Sequence, residues 1–346
     1  MATAKTETTE LSLGFGLLGL TPGTLTYDQI AKKFTGSLSK TAFDRFLEEF
    51  RKDRLYMRMH EVGRRLRELH PPFGQLEFLV WSGPDRQAAT TSTAKDLFAA
   101  NTPISVKAES GVVGNPSPYN LFIATPQGGA QARGMGSWYV ETALNEYQAF
   151  FSYARNATGL DSGIEALPAD VTEFEKSRNK KILRDRLKLL SAQESDRFFA
   201  LYIEMCRKVS TKSAELSNAH FTESLSSKTK NTVLEHIAKM FFRMDAVPYL
   251  LAGIDGRKEF AVSIPDLTKW KKTWKFEGIK AIPDINRLQS VVDFRITYSN
   301  NTTGELYTAE FHTEIRWSHG KFSSVEGKLY KEFNWINLPF FETIIG

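Results

Sequence analysis

One stretch limits the choice of fold more than any other: residues 93–110, Thr-Ala-Lys-Asp-Leu-Phe-Ala-Ala-Asn-Thr-Pro-Ile-Ser-Val-Lys-Ala-Glu-Ser. Two short runs flank a cluster of turn formers. The pattern predicts a β-hairpin with arms at 95–100 and 104–109 and Asn101, Thr102 and Pro103 as its turn. Side chains alternate along a strand, so Ser105, Lys107 and Glu109 share one face and Ile104, Val106 and Ala108 the other. Asp96 lies on the opposing arm, where a tight hairpin brings its carboxylate toward Lys107. Carboxylate, ammonium and second carboxylate then occupy one small polar face backed by apolar residues. The plainer reading of such alternation is a charged, solvated strand.

A cluster of this kind suits metal-assisted phosphodiester hydrolysis. Magnesium takes hard oxygen ligands and keeps several waters, so one or two carboxylates and a substrate phosphate suffice. An adjacent lysine orients the nucleophile or offsets developing charge. Asp96 followed by Ser105-Val106-Lys107 resembles the PD-(D/E)XK nuclease superfamily, which includes many type II restriction endonucleases. That family pairs an aspartate on one strand with a (Glu/Asp)-x-Lys tripeptide on the next; a Ser-x-Lys form with a displaced acid is known in it. Glu109 stands on the right face to be that acid. The resemblance implies an α/β (α+β) restriction-endonuclease-like core, its mixed central sheet flanked by helices, with helical and β-rich elaborations. It also implies Mg²⁺ as cofactor, double-stranded DNA as substrate and a homodimer. In this family a helix before the first core strand often carries a glutamate near the metal; Glu61 is the choice here, and Glu77 is a further metal candidate. Paired with Arg64 or Arg65, Glu61 is equally well an ordinary helix-surface residue.

Composition is compatible with this and narrows the alternatives. The chain has 346 residues and a net charge of +5, mildly basic as a polyanion-binding protein can be. One cysteine, Cys206, excludes an internal disulfide and a thiolate zinc cage and fits a reducing bacterial cytoplasm. The apolar run 11–20 is interrupted by three glycines and preceded by Glu10, which argues against a signal peptide or membrane helix. Glycine-rich 128–136 lacks the lysine-bearing phosphate-loop pattern, so no nucleotide cofactor is expected.

Four segments follow from the pattern: helical 1–70, a nuclease core at 71–160, helical 161–250 and a β-rich, DNA-recognising 251–346, which can pack as one domain. Residues 1–10 read as a disordered polar tail. Thr26 and Gln29 form a capping box for a short helix, and Ser39 caps a longer one running from Lys40 to about Leu69. Two helices joined by a glycine turn also suit a helix-turn-helix, the basis of a second hypothesis: a DNA-binding protein that does not cut. Residues 75–81 read as the first core strand and 138–154 as an amphipathic helix. Strands at 291–299 and 307–318 alternate cleanly, and a two-stranded ribbon can enter a major groove. Arg295, Arg316, His319, Lys321 and Lys328 are therefore DNA-contact candidates. Lys271 and Lys272 join them from an aromatic-cationic run suited to stacking, and Asn115 from a rigid proline-flanked turn. Charges paired across strands are the competing interpretation.

Overall fold

In the computed structural model, residues 4–36, 38–83, 95–108, 111–129, 137–160, 179–318 and 320–346 are described. Helix α1 (Ala4–Leu17) begins inside the stretch expected to be a polar tail. Its hydroxyls bond back one turn, Thr8 Oγ1 to the Ala4 carbonyl at 2.9 Å and Ser12 Oγ to the Thr8 carbonyl at 2.7 Å. Glu7 pairs with Arg45, and Glu10 accepts the Trp81 indole N–H at 2.8 Å. Every one of these polar groups is buried and partnered, so the helix tolerates them in the core.

The chain continues through α2 (Tyr27–Ala31), β1 (Phe34–Gly36), α3 (Lys40–Phe50), α4 (Arg54–Leu69), β2 (Leu79–Trp81), β3 (Leu97–Ala99) and β4 (Thr102–Ala108). Gln29 and Ser39 cap α2 and α3 as expected. The long helix expected from Lys40 to Leu69 is two helices. Asp53 leaves the helical region and its carboxylate accepts the Leu55 N–H at 2.8 Å, starting α4 afresh. The Tyr27–Phe50 region is not a helix-turn-helix, because β1 intervenes and pairs in parallel with β2.

After β5 (Val112–Gly114) come α5 (Trp138–Thr142), α6 (Leu144–Thr158), α7 (Asn179–Leu187), α8 (Ala192–Leu225) and α9 (Lys230–Phe242). They are followed by β6 (Tyr249–Asp255), β7 (Lys258–Ile264), α10 (Leu267–Thr273), β8 (Trp274–Asp284), β9 (Ser290–Asn300), β10 (Leu306–Trp317), β11 (Val325–Lys331) and β12 (Glu342–Ile345). These elements form two compact units, each drawn from several stretches of chain. One comprises 1–111, 243–274 and 333–346; the other comprises 112–242 and 275–332.

The first unit is α/β, with a mixed seven-stranded sheet ordered β1-β2-β3-β4-β6-β7-β12. The β2–β3 and β3–β4 pairs are antiparallel, whereas β4 and β6 run parallel. Leu79, Trp81, Leu97, Ile104 and Leu250 join the core that α1, α3 and α4 supply with Leu13, Phe15, Phe46 and Met59. Helices α1 and α4 cross at Gly16 and Gly63, and a Cβ on Gly16 would lie 2.0 Å from the His60 carbonyl oxygen.

The second unit has a five-stranded sheet ordered β5-β11-β10-β9-β8. The alternation expected for β9 and β10 holds: Phe294, Ile296, Phe311, Ile315 and Trp317 are buried, while Arg295, Glu310 and Arg316 lie on the wetter face. Helix α8 is tied to the sheet by polar locks. Ser210 Oγ accepts the Val291 N–H at 2.9 Å, and the Asn218 amide makes two 2.8 Å bonds to the Ala281 backbone. No described helix is long and apolar enough to cross a membrane.

Candidate functional site

The hairpin forms, and its turn is shorter than the sequence suggests. Ala100 and Asn101 both have positive φ, +45° and +63°, as a two-residue hairpin turn requires. Thr102 and Pro103 already pair with Ala99 and Phe98. The Asp96 N–H donates to the Ile104 carbonyl at 2.8 Å, which extends the ladder and sets Asp96 against Ser105. Asp96 Oδ2 accepts the Val106 N–H at 2.5 Å, and Ser105 Oγ donates to the same oxygen at 3.4 Å. Both side chains are buried, at 3% and 2% exposure. Arg243 Nη2 stands 3.4 Å from Ser105 Oγ.

On the far edge of β4, Ser105 pairs with Leu251 and Lys107 with Gly253 of the parallel strand β6. A Cβ on Gly253 would fall 1.8 Å from the Lys107 carbonyl oxygen, so glycine is what permits β6 to run this close. Ser105 and Lys107 thus lie on β4, and Asp96 immediately precedes its neighbour β3. Hydrogen bonds bring Asp96 to Ser105 and to the backbone of Val106.

Glu109 lies outside the described residues. Glu61 is on the exposed side of α4, bonded to Arg64 at 2.8 Å, and that bond holds its carboxyl below the usual range. The intrahelical interpretation therefore describes it. Residues 75–81 shorten to the strand Leu79–Trp81, leaving Glu77 exposed ahead of it. Among the described residues no three His, Cys, Asp or Glu side chains gather closely enough to hold a metal ion by themselves.

A different acid lies beside β4. A hollow of about 230 Å³ is lined by Lys5, Thr6, Thr9 and Glu10 of α1 and by Val106, Lys107 and Ala108 of β4. Glu10 is buried in its wall. The signal was present as Glu7 and Glu10, one helical turn apart and directly ahead of an apolar run. It is visible only once that tail is read as a helix.

Of the DNA-contact candidates, Arg295, Arg316 and Lys328 lie on the outer face of the five-stranded sheet, and the two arginines are ion-paired. Arg295 bonds Glu310 at 2.9 Å, Arg316 bonds Glu326 at 3.1 Å, and Lys328 stands opposite Glu314. Lys321 Nζ sits 4.6 Å above the Tyr202 ring and 5.7 Å from that of Phe198, where burial lowers its pKa. Asn115, Lys271 and Lys272 are exposed, and His319 lies outside the described residues. Trp270 and Trp274 are not stacking platforms for bases. Both are buried, each packed on Phe340 at 5.8 Å between ring centres.

Asp293 stands on that outer face, in register with His312, whose ring bonds Glu332. Burial, then the charge of Asp284, raises the Asp293 pKa, and His312 and Arg287 only partly oppose this. An acid whose folded pKa is raised destabilises the fold above its unfolded pKa, and the cost fades as pH falls through the raised value. Asp293→Asn should therefore raise the melting temperature slightly at pH 7, by the equivalent of about 1 kcal/mol or less. That advantage should vanish by about pH 4, near the unfolded carboxyl pKa. A gain of equal size at both pH values would contradict the assignment.

Comparison with protein-family models, with curated proteins and with solved structures gave no match.

Proposed function

We propose that this chain is a Mg²⁺-dependent endonuclease of the PD-(D/E)XK type, cutting double-stranded DNA at a specific sequence as type II restriction enzymes do. The observation that carries the reading is the placement of the Asp96 carboxylate against Ser105, at the head of Ser105-Val106-Lys107. Support comes from the surrounding sheet, in which the antiparallel run β2–β3–β4 is followed by a parallel strand, β6. A restriction-endonuclease-like core of a mixed sheet flanked by helices has this character.

The oxygens at Asp96 and Ser105 are of the hard type that Mg²⁺ takes, with water and a substrate phosphate completing its shell. Bound there, the ion would supply an acidified water and charge neutralisation on phosphorus. Lys107 would orient the attacking water and hold its place against the developing anion. Asp96, locked to the backbone of β4, enters the reaction already oriented. Recognition falls to the second unit and to Lys271 and Lys272. A homodimer would present two such sites to the two strands of a two-fold symmetric sequence.

A second reading, a DNA-binding protein that does not cut, is favoured by one detail. Asp96 Oδ2 is already engaged by Val106 and Ser105, as in a purely structural lock. Incubation with unmethylated DNA of mixed sequence separates the two. Discrete fragments that require Mg²⁺ and disappear on chelation are expected of the nuclease. Retarded but intact DNA would establish the binder, and neither effect would overturn both.

A further inference from the structure

We propose that Arg243 is a positioning residue for the Asp96–Ser105 pair, an inference that rests on the nuclease reading above. Arg243 follows the end of α9 with a φ of +57°, in the left-handed region that long side chains seldom occupy. Such strain persists only where the surroundings impose it, and it concentrates at functional sites. The Tyr249 hydroxyl donates to the Arg243 carbonyl at 2.8 Å and holds the peptide there. The side chain is 8% exposed and reaches Ser105.

The contacts run in one direction. Arg243 Nη2 donates to Ser105 Oγ at 3.4 Å, and Ser105 Oγ donates to Asp96 Oδ2 at 3.4 Å. A guanidinium is a donor at every working pH and accepts nothing, so a hydroxyl beside it turns its own proton elsewhere. The proton of Ser105 is thereby committed to Asp96. Both contacts are long for hydrogen bonds, as catalytic contacts often are before substrate tightens them. Where a second acid would carry its own charge, this site has a neutral hydroxyl polarised from behind by a fixed cation. The bland alternative is a buried arginine that only fixes how the chain enters β6.

A double-mutant cycle on the full chain separates the two, using Arg243→Lys, Ser105→Ala and their combination. Rates are measured with Mg²⁺ on cleavable DNA, and melting temperatures on the same preparations. Each single change should lower kcat by about 10- to 100-fold with KM little changed. The double variant should be no slower than the worse single, because both remove one linkage. Arg243→Gly adds a readout that packing alone would not move. Glycine accepts the left-handed backbone without strain, so this variant should fold while losing kcat. Additive losses of kcat, or wild-type kcat in Arg243→Gly, would overturn the proposal. If the wild-type chain cuts no DNA, the nuclease reading falls and the catalytic sense of the proposal falls with it. The melting cycle still decides the geometry then, since independent shifts for Arg243→Lys and Ser105→Ala would refute the linkage itself.

Discussion

Gly16→Ala should lower the melting temperature by about 6–12 °C, the equivalent of about 3 kcal/mol in a unit of this size. The cause is a backbone collision. A Cβ at Gly16 would meet the His60 carbonyl oxygen at 2.0 Å, the Arg64 nitrogen at 2.8 Å and the Gly63 Cα at 3.0 Å. None of these atoms is the end of a flexible side chain, so the helices themselves must separate. Gly63→Ala tests the same crossing from the other side, where its Cβ would lie 2.2 Å from the Leu13 carbonyl oxygen. The two changes together should cost less than their sum, since one displacement of α1 from α4 relieves both. Gly74→Ala is the control: its Cβ would make only an ordinary 3.5 Å contact, and the change should be neutral within about 0.5 kcal/mol. A Gly16→Ala protein that melts with the wild type would mean that α1 does not pack on α4 as described. The consequence reaches the candidate site, because α1 also carries Glu10 to the hollow beside Lys107.

Which parts of this fold could be read from the sequence depended on whether burial left an apolar period. The strand pair β9–β10 alternates cleanly, so its faces were legible to within a residue or two, whereas in β4 adjacent Ile104 and Ser105 are both buried. The α3–α4 break was missed: Phe43 and Phe46 before Asp53, and Leu55 and Met59 after it, each keep a helical period, but the two pairs are out of phase with each other. The capping bond from Asp53 to Leu55 shows that the helix restarts. Helix α1 was missed for the opposite reason. It buries threonine, serine and glutamate, whose hydroxyls and carboxylates are satisfied by one-turn back-bonds and by Arg45 and Trp81. Satisfied polar burial leaves no hydrophobic signature. The pairing of β4 with β6 joins Ile104 to Leu250, across most of the second unit, and no local pattern records it. For the same reason Arg243 was invisible beside Ser105: the two are 138 residues apart in sequence.

Under the proposed nuclease function, Asp96→Asn and Lys107→Ala should each lower DNA cleavage by about 10²–10³-fold or more while leaving the fold intact. Asparagine has the shape of aspartate, and its amide oxygen can still accept the Val106 N–H that the carboxylate holds at 2.5 Å. Charge is lost and the hairpin lock is kept, so melting should change little. Asp96→Ala removes the lock as well and strands a part-buried N–H, at a cost of about 1–3 kcal/mol. The difference between these two Asp96 variants divides the residue's structural role from its chemical one. If Asp96→Asn cut DNA as fast as the wild type while Asp96→Ala melted early, the carboxylate would be a lock and nothing more, and the nuclease reading would lose its first residue. Lys107→Ala asks the complementary question, because Lys107 is half-exposed on β4 and its backbone lies against β6. Its melting temperature should stay within that of the wild type. Loss of cleavage without loss of stability, with DNA still bound, would place the defect in the step where charge builds on phosphorus. Full cleavage by Lys107→Ala would leave Ser105-Val106-Lys107 as an ordinary strand.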